Sequence, residues 1–236
     1  MKTLANDLVG RLEREDMPPK KRRFTHKTNP LWTALHQLGS ILEERITGNY
    51  SHLDIGGCVR ELLNKNPSLR TELSDLQALI DNPDAYKLVH HDEDLSAIAF
   101  GSILAHLMEN DAVKFLTASE NHHYFGTNFH KGKLSVIGNL GHGAFYGLCG
   151  GIVSVEKNVG NYCCGYMEGG YVTLGGDAGK KLAMRMTGGT ITVFGNTGPA
   201  LGKNSSGGNI HVLGNKKPKI GISCGANVYW QEKRLR

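Results

Sequence analysis

Histidine side chains near the middle of the chain are the residues whose type and grouping could do chemistry. His122, His123 and His142 lie in one stretch, with His130 between them. Imidazoles are common metal ligands and proton carriers. These histidines fall where two differently composed halves of the chain meet. The simpler interpretation is that the chain holds no metal, and the alternative is a binding site at that junction with His122, His123 and His142 as its candidate ligands.

A second polar run, residues 90–94, reads His-His-Asp-Glu-Asp and also consists of metal-ligating types. Its spacing matches no standard metal site, and its position suits a polar loop in front of a helix. A solvated loop is the simpler interpretation, and a metal site is the alternative.

The five cysteines, at positions 58, 149, 163, 164 and 224, are an odd number without CxxC spacing. This pattern favours reduced thiols in a cytoplasmic protein over a disulfide framework. Cys163 and Cys164 are adjacent, and on a strand one would point into the core and the other outward. A vicinal disulfide or a reactive thiol is the functional alternative to two small structural side chains.

The elements that would position these residues differ between the two halves of the chain. Only six of the 31 glycines lie in the first 125 residues. With 39% hydrophobic and 21% charged residues the chain can bury a core, and no apolar run approaches the roughly 18 residues of a membrane span. The change in composition predicts a domain boundary near residues 119–131.

The first half has the periodicity of helices. A helix begins at Pro30, capped by Asn29, and its apolar residues recur with a 3.6-residue period until Gly48. A second helix is predicted from Ser68 to Ile80 and a third from Leu95 to Thr117. Residues 1–28, with four consecutive basic residues at 20–23, are predicted to form a mobile arm.

The second half is a 19-residue repeat. Two apolar residues with one residue between them recur in each copy, and turn residues follow at once. One glycine and one Asn or Asp also recur in each copy at the same 19-residue spacing. The glycines are Gly132, Gly151, Gly170, Gly189 and Gly208, and the amide or acid residues are Asn139, Asn158, Asp177, Asn196 and Asn215.

One strong strand per repeat, at constant spacing, predicts parallel strands stacked coil on coil. The apolar columns point inward, and weaker strands are predicted around 144–148, 163–167, 182–186 and 201–205. Glycines mark corners that need positive φ or close backbone approach. The Asn column is expected to tolerate a left-handed conformation and to form a hydrogen-bonded ladder.

Two catalytic patterns find little support in the repeat. Residues 195–203 superficially resemble a phosphate-binding loop, but the Lys-Ser/Thr ending is missing and the repeat explains the glycines. The acids Glu156, Glu168 and Asp177 fall in different columns, so paired carboxylates for acid–base catalysis are not evident.

The glycine-rich region resembles the GXGXG domain of the glutamate synthase large subunit and of the formylmethanofuran dehydrogenase C subunit. The resemblance implies a right-handed β-helix without catalytic residues, which keeps the geometry of neighbouring catalytic domains. The N-terminal cysteine nucleophile, iron–sulfur cysteines and flavin barrel of glutamate synthase are not found. The matching residues are the Gly-Gly pairs at 150–151, 169–170, 188–189 and 207–208, and the Gly-Asn or Gly-Asp pairs at 138–139, 176–177, 195–196 and 214–215.

The predicted fold class is α+β, a helical domain followed by a right-handed parallel β-helix, a single-stranded solenoid of about five 19-residue coils. The leading functional hypothesis is a scaffold or assembly protein, not catalytic alone, within or beside an amidotransferase or oxidoreductase complex. The alternative is an enzyme or ligand-binding protein with a histidine-lined site at the domain junction. The predicted divisions are a basic arm at 1–28, a helical domain at 29–120, a GXGXG β-helix at 126–225 and a tail at 226–236.

The predicted partners follow from charge and composition. Residues 126–225 hold ten basic and three acidic residues, a net charge of +7. Nucleic acid is not expected as a partner because no aromatics are interleaved with these charges along the sequence. We expect a protein partner or a homo-oligomer, no membrane, no cofactor and no catalytic residue.

Overall fold

The computed structural model describes residues 37, 40–41, 52–65, 102, 105, 113–118 and 122–236. Helix α1 spans His52–Lys65. The strands are β1 Val113–Ala118, β2 Lys133–Gly138, β3 Ile152–Val155, β4 Tyr171–Leu174, β5 Thr190–Val193, β6 Asn209–Val212, β7 Asn227–Trp230 and β8 Lys233–Arg234.

The strands form one sheet in chain order, with β1 to β7 parallel and β8 antiparallel to β7. Lys133 of β2 pairs with Ile152 of β3, which is 19 residues on, and the same offset holds through β6. This confirms a β-solenoid of about five coils with a 19-residue repeat. The offset is 20 residues from β1 to β2 and 18 from β6 to β7.

The second apolar position of each repeat forms a single internal file. Its members pair in register from coil to coil and are at most 2% exposed. The first apolar position forms a parallel file that is equally buried. Each buried side chain contributes about 1.5–3 kcal/mol against the cost of ordering the backbone. The predicted inward file is therefore confirmed: it consists of Val136, Val155, Leu174, Val193 and Val212.

The returning segments are turns, so the prediction of weaker strands there is wrong. Gly143, Phe145 and Gly147 have φ values of 66°, 57° and 67°, and the same alternation recurs in the following coils. A left-handed residue at every second position prevents an extended strand. The N–H of Gly143 donates to the next coil at Asn161 O (2.8 Å), and that of Phe145 donates to the previous coil at Phe125 O (2.7 Å). These segments therefore join coils on both sides without forming strands.

The sheet begins earlier and ends later than predicted. Residues 113–117 were assigned to the third helix, but Val113–Ala118 is a strand that pairs with β2. This segment has β-branched and aromatic residues, and the edge of β2 supplies the hydrogen bonds that a helix end would lack. Within the predicted third helix, the described residues Ser102 and Ala105 are helical.

At the other end of the sheet, β7 continues the stack into the predicted tail. Strand β8 is a short, charged edge of the kind that blocks further pairing.

Helix α1 has no counterpart among the predicted helices because its sequence contains the pair Gly56-Gly57, which weakens a helix. Its buried residues are Cys58, Val59 and Leu62, which belong to the same core cluster as the coil interior. The cluster thus links part of the helical region to the solenoid. None of the helices that the structure describes is long and apolar enough to cross a membrane.

The first predicted helix has three described residues, Gln37, Ser40 and Ile41, and all are helical. The rest of that helix, the second predicted helix, the arm at 1–28 and the polar run at 90–94 lie outside the described residues.

Candidate functional site

The histidines at 123 and 142 form part of a column that runs along the stack. Their rings are stacked, with centroids 5.1 Å apart and planes 12° apart. The backbone N–H of His142 donates to His123 Nδ1 at 2.9 Å, and the N–H of Asn161 donates to His142 Nδ1 at 3.0 Å. Each imidazole therefore uses one nitrogen to hold the coil that follows it.

This histidine column continues with the same bond and then ends. The N–H of Lys180 donates to Asn161 Oδ1 at 2.8 Å. Lysine has no side-chain acceptor, and the next position in the column is Pro199, which has no N–H. The column therefore ends at Lys180, because its side chain offers no acceptor and Pro199 offers no N–H donor.

The three candidate metal ligands do not converge on one point. His123 and His142 are brought together, whereas the described contact of His122 is an edge-to-face approach to Phe125, with ring centroids 6.5 Å apart. Over the described residues, no group of three or more His, Cys, Asp or Glu side chains is placed to hold a metal ion. The arrangement of these histidines is explained by the stacking of coils.

The Asn column forms a second ladder of the same type. Asn139 Oδ1 accepts the N–H of Asn158 at 3.1 Å, and Asn158 Oδ1 accepts the N–H of Asp177 at 2.8 Å. Asp177 Oδ1 accepts the N–H of Asn196 at 2.6 Å, and Asn196 Oδ1 accepts that of Lys216 at 2.9 Å. The bonds join side chain to backbone.

The conformational reason given for the Asn column is wrong. None of its five members has a positive φ, so a tolerance for left-handed backbone does not explain the preference for Asn and Asp. The requirement is instead a short side chain with an acceptor oxygen that reaches the N–H of the next coil.

The glycine column lies where coils touch. Gly132, Gly151, Gly170, Gly189 and Gly208 have φ values from 79° to 94°. A Cβ on Gly170 would stand 2.8 Å from the carbonyl carbon and oxygen of Gly150. Because those atoms are backbone, no side-chain movement can relieve the contact.

The prediction that one of the two adjacent cysteines is exposed is wrong. Cys163 and Cys164 are both fully buried, because they lie in a turn segment and do not alternate across a strand. Their Sγ atoms are 3.6 Å apart and share a hydrogen bond. That bond, together with burial, holds the pKa of Cys164 well above its usual value. The thiol therefore stays protonated and is a poor nucleophile.

The remaining cysteines form no disulfide either. Cys149 is exposed and its Sγ donates to Gly147 O at 3.1 Å, whereas Cys224 is buried and receives a hydrogen bond from Ser205 Oγ at 3.5 Å. All five cysteines of the chain are free thiols.

A group of tyrosines and cations on the turn segments was not found from the sequence. The rings of Tyr124 and Tyr146 have centroids 6.0 Å apart, and those of Tyr146 and Tyr166 are 5.1 Å apart. Arg185 donates from a guanidinium nitrogen to Tyr166 Oη at 2.6 Å, and its guanidinium lies 5.3 Å from the ring centroid. We call the side chains of Tyr124, Tyr146, Tyr162, Tyr166, Lys181 and Arg185 the tyrosine face.

The tyrosine face exists because small residues recur beneath the rings. A Cβ on Gly165 would stand 2.7 Å from the ring of Tyr146, so this glycine leaves the space in which that ring lies against the next coil.

A second tyrosine is paired with a cation in the same way as Tyr166: Lys181 Nζ donates to Tyr162 Oη at 2.8 Å. The 19-residue spacing of Tyr162 with Lys181, and of Tyr166 with Arg185, is the signal that could have revealed the face.

The phenols of this face differ in acidity. The hydrogen bond and the charge of Lys181 lower the pKa of Tyr162 from its ordinary value. Burial raises the pKa of Tyr146, and the neighbouring Tyr166 adds to the effect. Lys203 and Lys180 also lie close enough to lower the pKa of Tyr162. Three lysines are therefore close enough to Tyr162 to act on its hydroxyl group.

Comparison with protein-family models, with curated proteins and with solved structures finds no match to this chain.

Proposed function

We propose that this protein is a non-catalytic scaffold or assembly protein, and that its β-solenoid holds partner subunits in a fixed geometry. The observation that carries the proposal is how the polar side chains are used. His123, His142 and Asn161 each accept a backbone N–H from the next coil, as do Asn139 and its equivalents. Groups that could have served chemistry instead stiffen the stack.

The proposed relationship is to the GXGXG β-helix of glutamate synthase, and the proposed setting is an amidotransferase or oxidoreductase complex. The Gly-Gly pairs of the repeat support it, because the second glycine of each pair lies at a positive-φ corner. We further propose that the coils are right-handed, as nearly all connections between parallel neighbouring strands are. A helical domain at the N-terminal side and a cytoplasmic location complete the proposal, the latter supported by the free thiols.

The outward face of the sheet is the proposed partner surface. Ile152 and Tyr171 are neighbours in adjacent strands and are 49% and 62% exposed. Phe194 and Leu213 form a second exposed apolar pair on the next two coils. Exposed apolar side chains grouped in this way are typical of protein–protein contacts.

The test is affinity purification of the tagged full-length chain from its native host, followed by size-exclusion chromatography. We expect an amidotransferase or oxidoreductase subunit to co-elute in constant ratio. The variant Tyr171→Ser/Ile152→Ser should lose that subunit and stay folded, while the matched control Thr173→Ser/Thr192→Ser should retain it. A chain that elutes alone in both forms, or that shows turnover by itself, would contradict the proposal.

A further inference from the structure

We infer that the tyrosine face binds single-stranded nucleic acid, a function beyond scaffolding and located on the turn segments, which are separate from the outward face of the sheet. Bases can stack on aromatic rings while phosphates pair with nearby cations. Along the sequence Tyr162 and Lys181 are 19 residues apart, and so are Tyr166 and Arg185. The coil stacking brings both kinds of residue onto one surface.

The tyrosines follow the solenoid axis. Tyr124, Tyr146 and Tyr166 belong to three successive coils, and neighbouring ring centroids are 5–6 Å apart, at 6.0 Å and 5.1 Å. This places one ring at each coil. Consecutive bases of an extended strand could therefore meet consecutive rings.

Arg185 stands at the end of this line on the following coil, and Lys181 lies four residues before it in the same turn segment. Arg185 contacts the ring and hydroxyl of Tyr166, and Lys181 contacts those of Tyr162, with its Nζ 4.7 Å from the ring centroid. Arg185 is exposed and Lys181 is partly exposed. Because each cation is held beside a ring, base stacking and phosphate pairing are available at adjacent positions.

No carboxylate neutralises this surface within the turn segments that form it. Residues 123–128, 142–147, 161–166, 180–185 and 200–204 contain no Asp or Glu. Lys180 and Lys203 add to the positive charge near Tyr162. The face is therefore complementary in charge to a phosphate backbone.

The dimensions suit a short oligonucleotide. Together with Lys203 on the coil that follows, the tyrosine face covers five successive coils, and at about 4.8 Å per coil this surface extends roughly 19 Å. That length matches the lower end of single-strand site sizes, about four nucleotides. An acidic polypeptide would use the cations alone and would leave the tyrosine rings without a role.

The test is fluorescence anisotropy of labelled 12-nucleotide oligouridylate and oligothymidylate with the full-length chain. Lys181→Gln/Arg185→Gln should weaken binding at least tenfold. It should also reduce the slope of log affinity against log salt by about 1.4, as expected for two lost phosphate contacts at about 0.7 each. The matched control Lys133→Gln/Lys157→Gln removes the same charge elsewhere and should change affinity less than twofold.

The aromatic contribution is tested at Tyr162. Tyr162→Ala should weaken binding about fivefold or more, whereas Tyr162→Phe, which keeps the ring, should stay near wild type. Circular dichroism checks that each variant is folded. Lack of saturable binding, equal loss in the control double variant, or equal binding of polyglutamate at the same charge concentration would each overturn the inference.

Discussion

Gly170 shows at the scale of one residue why the repeat keeps glycine at its corners. Its φ is 87°, and the carbonyl group of Gly150 in the previous coil occupies the space that a Cβ would need. Two requirements, a left-handed backbone and close contact, therefore act at the same position. A change there disturbs the separation of two coils as well as one dihedral angle.

Gly170→Ala is expected to lower the free energy of unfolding by about 2 kcal/mol or more, because the backbone strain and the contact add. Urea unfolding followed by circular dichroism measures the effect. The control is Gly57→Ala in α1, where a Cβ would meet no atom within 4 Å. Since alanine favours a helix interior, that variant should gain about 0.5–1 kcal/mol. Similar losses in both variants would refute the explanation.

The turn segments show at the scale of an element how strain and hydrogen bonding balance. Phe145, Cys164 and Ala183 occupy equivalent positions with φ values of 57°, 53° and 58°, a region that costs most residues about 1–2 kcal/mol. Their N–H groups donate to the previous coil. These hydrogen bonds satisfy the backbone groups of the buried turn and offset part of the strain.

The Asn ladder is an element whose contribution can be measured one step at a time. Asp177→Ala removes the oxygen that accepts the N–H of Asn196 at 2.6 Å and should reduce the free energy of unfolding by about 1 kcal/mol, since the bond is exposed to water. Asp177→Asn keeps the acceptor and should lose less than about 0.5 kcal/mol. Chemical denaturation of both variants in parallel compares them. Equal stability of the alanine and asparagine variants would show that the ladder contributes nothing there.

The whole molecule is stabilised by contacts between successive coils, so its stability should vary along the axis. The last coil is closed by Trp230, whose Nε1 donates to Gly214 O at 2.9 Å, and by the short strand β8. Central strands are paired with a neighbouring strand on each side, whereas the end of the stack is held by the short strand β8 and a few side chains. Local opening should therefore begin at the end of the stack.

Trp230→Ala should speed amide hydrogen exchange in β7 and β8 by tenfold or more and leave β3 and β4 unchanged. The reason is that one capping side chain and its hydrogen bond are lost from the end coil only. Mass spectrometry of deuterium uptake by peptide measures this. Tyr171→Ala, which truncates an outward and 62% exposed ring, is the control and should alter neither region. Faster exchange throughout the sheet would indicate that the coils open together.

The sequence by itself determined the coil period, the inward files and the parallel stacking. Val136 and its equivalents recur at constant spacing, and a 19-residue repeat with one strand admits few other arrangements. The sequence was misleading at two places. Local periodicity indicated a helix at residues 113–117 and a strand at residues 163–164. Pairing with β2 and the alternating left-handed turns override those local preferences.

The tertiary structure decided which side chains meet across coils. Tyr124, Tyr146 and Tyr166 are far apart in the chain, and only stacking brings their rings together and places Arg185 beside them. The histidines were recognisable as a group, but their use of Nδ1 as an acceptor for the next coil depends on the exact height of one coil above another. Distances of that kind arise from the packed backbone, which residue spacing alone does not specify.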